Sequence, residues 1–261
     1  MYADYHLHSF YSDDSQTPMD DMVRRAIALG LEEICFTEHV DYGIKTVQNC
    51  DYDAYFAALE DMRQKYRGQI AIRGGIEFGV QLETIPQFTA AFESYPFDFV
   101  LCSCHQLNNQ EFCRNEYQAG KTQDEYQAGY YTGIYELICQ YKLYSVLGHL
   151  DLIKRYDRRG DYPDEKILPL AEKIMKQAIA DEKGIEVNTS TRRYGMPGAS
   201  PSRRLLELYH DLGGRIITIG SDAHDPARLA DMIPETQKLL KEIGFREICT
   251  FEHMQPVFHR L

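Results

Sequence analysis

The chain has 261 residues, 44% of them hydrophobic and 26% charged, with a formal net charge of −12 at neutral pH. Such a chain can bury a sizeable core, and its acidity argues against a long nucleic acid or an anionic membrane as partner, because both call for a basic surface. No apolar run approaches the ~18 residues of a membrane span and no basic-then-apolar leader opens the chain, so a cytoplasmic protein is expected.

Short apolar runs alternate with longer stretches of helical period, the rhythm of parallel βα units. In chain order, strands are expected at 2–8 ("YADYHLH"), 32–39 ("EEICFTEH"), 70–78 ("IAIRGGIEF"), 97–105 ("FDFVLCSCH"), 144–151 ("YSVLGHLD"), 184–190 ("GIEVNTS") and 215–224 ("RIITIGSDAH"). An eighth run near 246–258 closes or pads the structure. Between the first two strands, Thr17 can cap a helix that Pro18 begins and Gly30 stops, with Asp20 and Asp21 at the positive end of its dipole. The same pattern recurs at 200–213, with Ser200 as cap, Pro201 in the first turn and Gly213 after the end. Further helices are expected at about 51–67, 125–142, 164–183 and 226–243, with Pro169 and Pro234 kinking or splitting the last two. The seven cysteines are odd in number and form no C-x-x-C pair; several sit in apolar runs, where free cysteine behaves as a small buried hydrophobe. One α/β domain spanning 1–261 fits this pattern best.

The metal-capable side chains fall on the strand ends. His6 and His8, one residue apart, share a face of the first strand, since side chains alternate with a period of two. His39 ends the second strand, Glu77 the third, His105 the fourth and His149 the fifth, while Asp222 and His224 end the seventh. In a parallel β/α barrel all these ends open on one face, where active sites are built. Residues more than 200 positions apart would then meet in one pocket. His210, His253 and His259 fit no such position and read as helix-surface or terminal residues. Asp151, two positions after His149, and Asp4, two before His6, are candidates for fixing a ligand imidazole's tautomer, with capping or solvation as the alternative.

In this order, "HLH", "TEH", "GIEFG", "SCH", "GHLD" and "GSDAH" resemble the polymerase-and-histidinol-phosphatase (PHP) superfamily, and "EEICFTEHVDYG" with the single-domain layout is most similar to its histidinol-phosphate phosphatase branch. The resemblance implies a distorted (β/α)7 barrel, TIM-barrel-like, holding two or three divalent metal ions. It implies one metal on His6, His8, Glu77 and Asp222, a second on bridging Glu77 with His105 and His149, and a third on His39, His224 and Asp14, with Asp13 the alternative. It also implies phosphate-gripping arginines after the fifth and sixth strands. Arg155 matches the first; Arg192 is favoured for the second over its neighbour Arg193.

An all-nitrogen-and-oxygen ligand set admits Zn, Mn, Fe or Co. Three divalent cations outweigh three carboxylates, so an acidic protein can still present a cationic pocket to a phosphate dianion. The reaction so implied is hydrolysis of L-histidinol phosphate, a small-molecule monoester of histidine biosynthesis, by a metal-bridged hydroxide. Glu77 would bridge, Asp222 would orient the hydroxide, and Arg155 and Arg192 would clamp the phosphoryl oxygens. The alternative is another PHP phosphoesterase, acting on nucleotides or phosphotyrosine. Part of the longest connection between strands, 107–140, is expected to form a wall or lid over the imidazole end of the substrate.

Overall fold

The computed structural model describes residues 1–43, 49–196 and 198–261. Four strands, β1 (Ala3–Leu7), β2 (Glu33–Val40), β3 (Ala71–Gly79) and β4 (Phe99–Ser103), are followed by a small hairpin of β5 (Gln106–Leu107) and β6 (Gln110–Glu111). Then come β7 (Val146–Leu147), β8 (Gly184–Asn188) and β9 (Ile217–Gly220). The order across the main sheet is β1-β2-β3-β4-β7-β8-β9, every pair parallel. The His8 amide donates to the Ala223 carbonyl (2.8 Å) and the Asp222 amide to the His6 carbonyl (2.7 Å), so the end of β1 meets the chain leaving β9. The sheet thereby closes on itself as a distorted seven-stranded barrel, the expected fold.

Seven α-helices wrap it among the described residues: α1 (Met19–Leu29), α2 (Tyr52–Lys65), α3 (Ile85–Ser94), α4 (Gln123–Gln140), α5 (Asp164–Ala180), α6 (Arg203–Asp211) and α7 (Ile233–Ile243). In α1 the buried Met19, Met22, Val23 and Ala26 follow the i, i+3, i+4, i+7 rule; each of the larger three contributes about 1.5–3 kcal/mol by leaving water. Gly30 ends that helix at φ 77°, a left-handed stop that costs glycine no Cβ clash.

Several local expectations are corrected. Thr17 does not cap α1, which follows Pro18 with no side-chain cap; its hydroxyl donates instead to the His224 carbonyl (2.9 Å). Ser202, not Ser200, caps α6, accepting from the Leu205 amide. Pro169 lies inside an unbroken α5. Pro234 starts α7 instead of splitting it, because left-handed backbone at Ala230 and Met232 keeps the helix from beginning earlier. Helix α3, with Pro86 in its first turn, was not expected.

The eighth run is no barrel strand. It forms an antiparallel hairpin, β10 (Glu247–Glu252) with β11 (Gln255–Arg260). Phe251 of β10 joins Ala3, Tyr5, Cys35, Phe99, Leu101 and Val146 in an apolar plug, and its amide donates to the Tyr5 hydroxyl (2.8 Å). Tyr5 belongs to this plug while the next residue, His6, belongs to the polar cluster above it. Pure alternation forbids that; a register shift between Asp4 and Leu7 permits it.

Candidate active site

Six imidazoles converge over the plug around the buried Glu77 carboxylate. Its Oε1 lies 3.1 Å from His105 Nε2 and 2.9 Å from His149 Nε2, and accepts from the Ser103 hydroxyl at 2.7 Å. Its Oε2 lies 3.2 Å from His6 Nε2, 2.9 Å from His39 Nδ1 and 3.6 Å from His8 Nε2. One carboxylate thus offers each oxygen to a different group of imidazoles. Asp222 divides its oxygens as well. Oδ1 faces His6 and His8 at 3.7 and 3.6 Å, while Oδ2 accepts from Arg155 Nη2 (3.3 Å), the Ser190 hydroxyl (3.2 Å) and Asn188 (3.4 Å).

Asp14 completes the cluster from the loop after β1. Its Oδ2 stands 3.1 Å from His224 Nε2 and 3.5 Å from His39 Nε2. The Ser15 and Thr17 hydroxyls both donate to the His224 carbonyl, tying the loop to the far end of the chain. Of the two aspartates in "SDDS", Asp14 is therefore the one these imidazoles meet.

The electrostatics favour positive charge at the centre. Burial alone would raise the Glu77 pKa, yet the charges of His6, His39 and His105 hold it well below the usual carboxylate range. Burial is likewise outweighed at Asp222, chiefly by His6 and His8, and at Asp14 by hydrogen bonds to His224 and His39. Against burial, Glu186, Glu77 and Asp222 raise His6 well above its usual value, and Asp41 and Glu77 raise His105 to about 9. Burial pushes His8 down, and the imidazoles of His39 and His224 push it further; their rings stack on it at 4.1 and 4.2 Å.

The residues fit divalent metal. Ligand atoms of His6, His8 and Asp222 lie within 4.8 Å of one another, as do those of His6, Glu77 and His149, of His39, Glu77 and His105, and of His8, His39 and His224. Buried His8 Nε2 has no hydrogen-bond partner among the described residues and stands 3.6 Å from both Glu77 and Asp222. Two donors on one tetrahedral zinc, at 2.0–2.1 Å each, sit about 3.4 Å apart. Atoms that find no hydrogen bond but stand at ligand spacing suit a cation.

Carboxylates behind the imidazoles escaped the sequence reading. Glu186, on β8, accepts from His6 Nδ1 at 2.5 Å and from the His149 amide at 2.8 Å. Asp41 faces His105 Nδ1 at 2.9 Å. Glu38 accepts from the Ser12 hydroxyl (2.6 Å), and Ser12 lies 3.1 Å from His8 Nδ1. A signal for Glu186 was present: "GIE" at 184–186 repeats the triplet that carries Glu77, a charge inside an otherwise apolar parallel strand. Asp4 and Asp151 do not fix imidazoles. Asp4 accepts from the Ser221 amide (2.8 Å) and hydroxyl and from the Ala230 amide (2.9 Å), whereas Asp151 binds the Ser200 hydroxyl and the Ser202 amide at the entry to α6.

Beside the cluster opens a cavity of about 230 Å³, lined by Asp14, His39, His105, His149, Asp222 and His224 and, beyond them, by Asp41, Gln106, Glu111, Cys113, Leu152, Arg155, Tyr156 and Tyr194. Arg155 is buried, donates to Ser190 Oγ at 2.6 Å and lies 4.1 Å from the centre of the Tyr194 ring. Arg192 is not part of this wall. The turn at Ser190–Tyr194 is a 3-10 helix, whose successive side chains splay about 120° apart; Arg192 is exposed, against the Met232 sulfur at 3.8 Å. Arg193 points back to the barrel and donates to the carbonyls of Ser221 and Asp222, the latter at 2.9 Å. The 107–140 connection does reach the cavity, through Glu111 and Cys113; its second half is α4.

A family model described as the PHP domain matches residues 4–190. The histidinol-phosphatase of Lactococcus lactis is 33% identical, over 97% of this chain and 95% of that protein. The probable histidinol-phosphatase of Thermotoga maritima is 30% identical, over 93% and 92%. The crystal structure of the Lactococcus lactis histidinol phosphate phosphatase, complexed with Zn, L-histidinol and phosphate, matches with a TM-score of 0.87 and 30% identity over 98% of both chains. With a barrel, a strand-end cluster and full-length relatives in agreement, the chain belongs to the PHP-domain family, among the histidinol-phosphatases.

Proposed function

We propose that this protein hydrolyses L-histidinol phosphate to L-histidinol and inorganic phosphate, a step of histidine biosynthesis carried out in the cytoplasm. The observation that carries the reading is the cluster and the cavity beside it: six imidazoles, Glu77, Asp222 and Asp14 gather in one place, and four of the imidazoles with Asp14 and Asp222 line a cavity that Arg155 also lines. The Lactococcus relative crystallised with zinc, the alcohol and phosphate supports the choice of substrate.

Three metal positions are proposed: His6, His8, Glu77 and Asp222 for one, Glu77, His105 and His149 for the next, and Asp14, His39 and His224 for the third. Zinc is the proposed occupant, although manganese, iron or cobalt suit the same donors. When bound, such ions neutralise the phosphate dianion and lower the pKa of a water toward 7. The chain's own groups do the rest. Glu77, with one oxygen toward each group of imidazoles, would serve two of these positions. Asp222 presents Oδ1 to the imidazole side and holds Arg155 with Oδ2, aiming the guanidinium at the phosphoryl oxygens where charge builds. Ser190 and the Tyr194 ring restrict that guanidinium further, and Arg193 fixes the backbone on either side of the Ser221–Asp222 peptide.

Steady-state rates on histidinol phosphate, an aryl phosphate and a mononucleotide test the assignment. A kcat/KM at least tenfold higher for histidinol phosphate, on the order of one good polar contact to the leaving group, is expected. Comparable values across the three would reject it and leave a general phosphoesterase.

A further inference from the structure

The substrate proposed above carries two charged groups, a phosphate dianion and, on the second carbon from its ester oxygen, an ammonium that lies between phosphate and imidazole. The metal cluster and Arg155 answer the first. We propose that Glu111 answers the second, as the specificity-determining carboxylate that receives the substrate's ammonium; this rests on the histidinol phosphate reading.

Four carboxylates line the cavity. Asp14, Asp41 and Asp222 all stand within 4 Å of imidazole nitrogens of the cluster. Glu111 is the exception among the described residues. Its side chain is 10% exposed, and Arg114 Nε pairs with it at 2.8 Å from a side chain 69% exposed. Glu111 Oε2 finds no hydrogen bond of good geometry there. The Cys113 thiol donates weakly to Oε1 at 3.9 Å; a nearly buried carboxylate answered by one solvated guanidinium and one thiol is under-compensated. A ligand cation entering the cavity compensates it better.

The position is built, not incidental. Glu111 pairs across the hairpin with Gln106, the residue after His105, so it lines the same cavity as the cluster. Its amide donates to the Glu116 carboxylate (3.1 Å), and the next amide, Phe112, donates to the His105 carbonyl (3.2 Å). Phe112 is fully buried between the rings of Tyr117 and Tyr130, each 5.3 Å away. An anchored backbone keeps the carboxylate in place, which limits the ordering cost of binding. A phosphate ester with a neutral leaving group gains nothing from it.

Two variants acting in opposite directions test this. Glu111→Gln should raise KM for histidinol phosphate about tenfold or more while kcat moves little, the loss of one charge-assisted contact. The ratio of kcat/KM for histidinol phosphate to that for p-nitrophenyl phosphate should fall by the same factor. Arg114→Ala, which removes the competing cation, should lower KM for histidinol phosphate. The des-amino analogue, 3-(imidazol-4-yl)propyl phosphate, should be hydrolysed with nearly equal constants by the parent protein and Glu111→Gln. A merely structural role for Glu111 predicts that both variants lose activity on every ester, and that outcome overturns the proposal. An equal loss on the des-amino analogue would overturn it too, by moving the contact to the imidazole. If the parent protein hydrolyses histidinol phosphate preferentially and neither variant changes that preference, this proposal alone fails. If the parent shows no such preference, the functional reading fails and takes it along.

Discussion

Glu186 is not among the residues lining the cavity beside the cluster, yet its replacement should weaken the metal centre. Its carboxylate accepts three donors, His6 Nδ1 at 2.5 Å, the His149 amide at 2.8 Å and the Asn188 side-chain amide at 3.4 Å, in a fully buried site. A carboxylate only accepts, so when His6 gives up its charge to hold a cation the remaining ring proton stays on Nδ1 and Nε2 is left bare. In Glu186→Gln, one of the two oxygen positions becomes an NH2. Turned toward the His149 amide, it opposes donor to donor at a cost of about 1–3 kcal/mol. Turned toward His6 Nδ1, it drives the ring proton to Nε2, where a ligand must be bare. Either way the expected loss of metal affinity is about 10–100-fold, or ~1.4–2.8 kcal/mol. Competition against a zinc chelator of known affinity, with metal per protein from elemental analysis, measures it. An isosteric Glu186→Gln protein that binds metal as tightly as the parent would refute the tautomer argument.

Glu77→Gln should abolish turnover and lower the number of metals retained after gel filtration, because the amide cannot offer two anionic oxygens; phosphate release near the parent rate would exclude the bridging role. Arg155→Met should lower kcat about 10²–10³-fold, the usual cost of one preorganised donor to developing charge, while Arg192→Met, outside the cavity wall, should change it little; stopped-time phosphate release compares the two. In chelator-treated protein, the raised pKa of His105, from 6.5 to about 9, corresponds to about 3 kcal/mol of stability. A raised pKa stabilises fully below 6.5 and is lost as pH rises through 9, so the melting temperature of that form should fall between those values. A flat melting profile over that range would contradict the Asp41–His105–Glu77 pairing.

The barrel and the candidate ligands were readable in the sequence for one reason: parallel strands buried on both faces are apolar, so polar residues at their ends stand out. His39, His105 and His149 stood out this way. Glu186 did not, because a charge within "GIEV" reads as an interruption of a strand until Glu77 is seen to occupy the same triplet. Arg192 and Arg193 were inseparable in sequence, since the face each takes depends on a five-residue 3-10 turn whose phase no periodicity reveals. Helix α3 was hidden by the short spacing between β3 and β4 and by Pro86, which reads as a breaker although it fits a first turn. The caps at Thr17 and Ser200 were plausible by type but off in place. Each hydroxyl had a stronger tertiary partner, the His224 carbonyl or the Asp151 carboxylate, and capping energies of about 1 kcal/mol do not outweigh such contacts.

The location of the cluster also bears on how the barrel closes. β7 is two residues long and β9 four, so the last third of the sheet has few ladder hydrogen bonds with which to hold its edge against β1. At that seam the backbone supplies the pairs His8–Ala223 and Asp222–His6. The proposed ligands straddle the same line, His6 and His8 on one side, Asp222 and His224 on the other, separated by more than 200 residues of chain. Gly220 allows the approach, since a Cβ there would fall 2.2 Å from the His6 Cβ and 2.6 Å from Glu186 Oε1. Closing so long a loop carries an entropic cost that short strands repay poorly; a cation shared across the seam repays it directly, because binding to the folded state alone adds to folding stability. The charge that prepares the site for a phosphate dianion and the charge that clasps the first strand to the last are therefore one and the same.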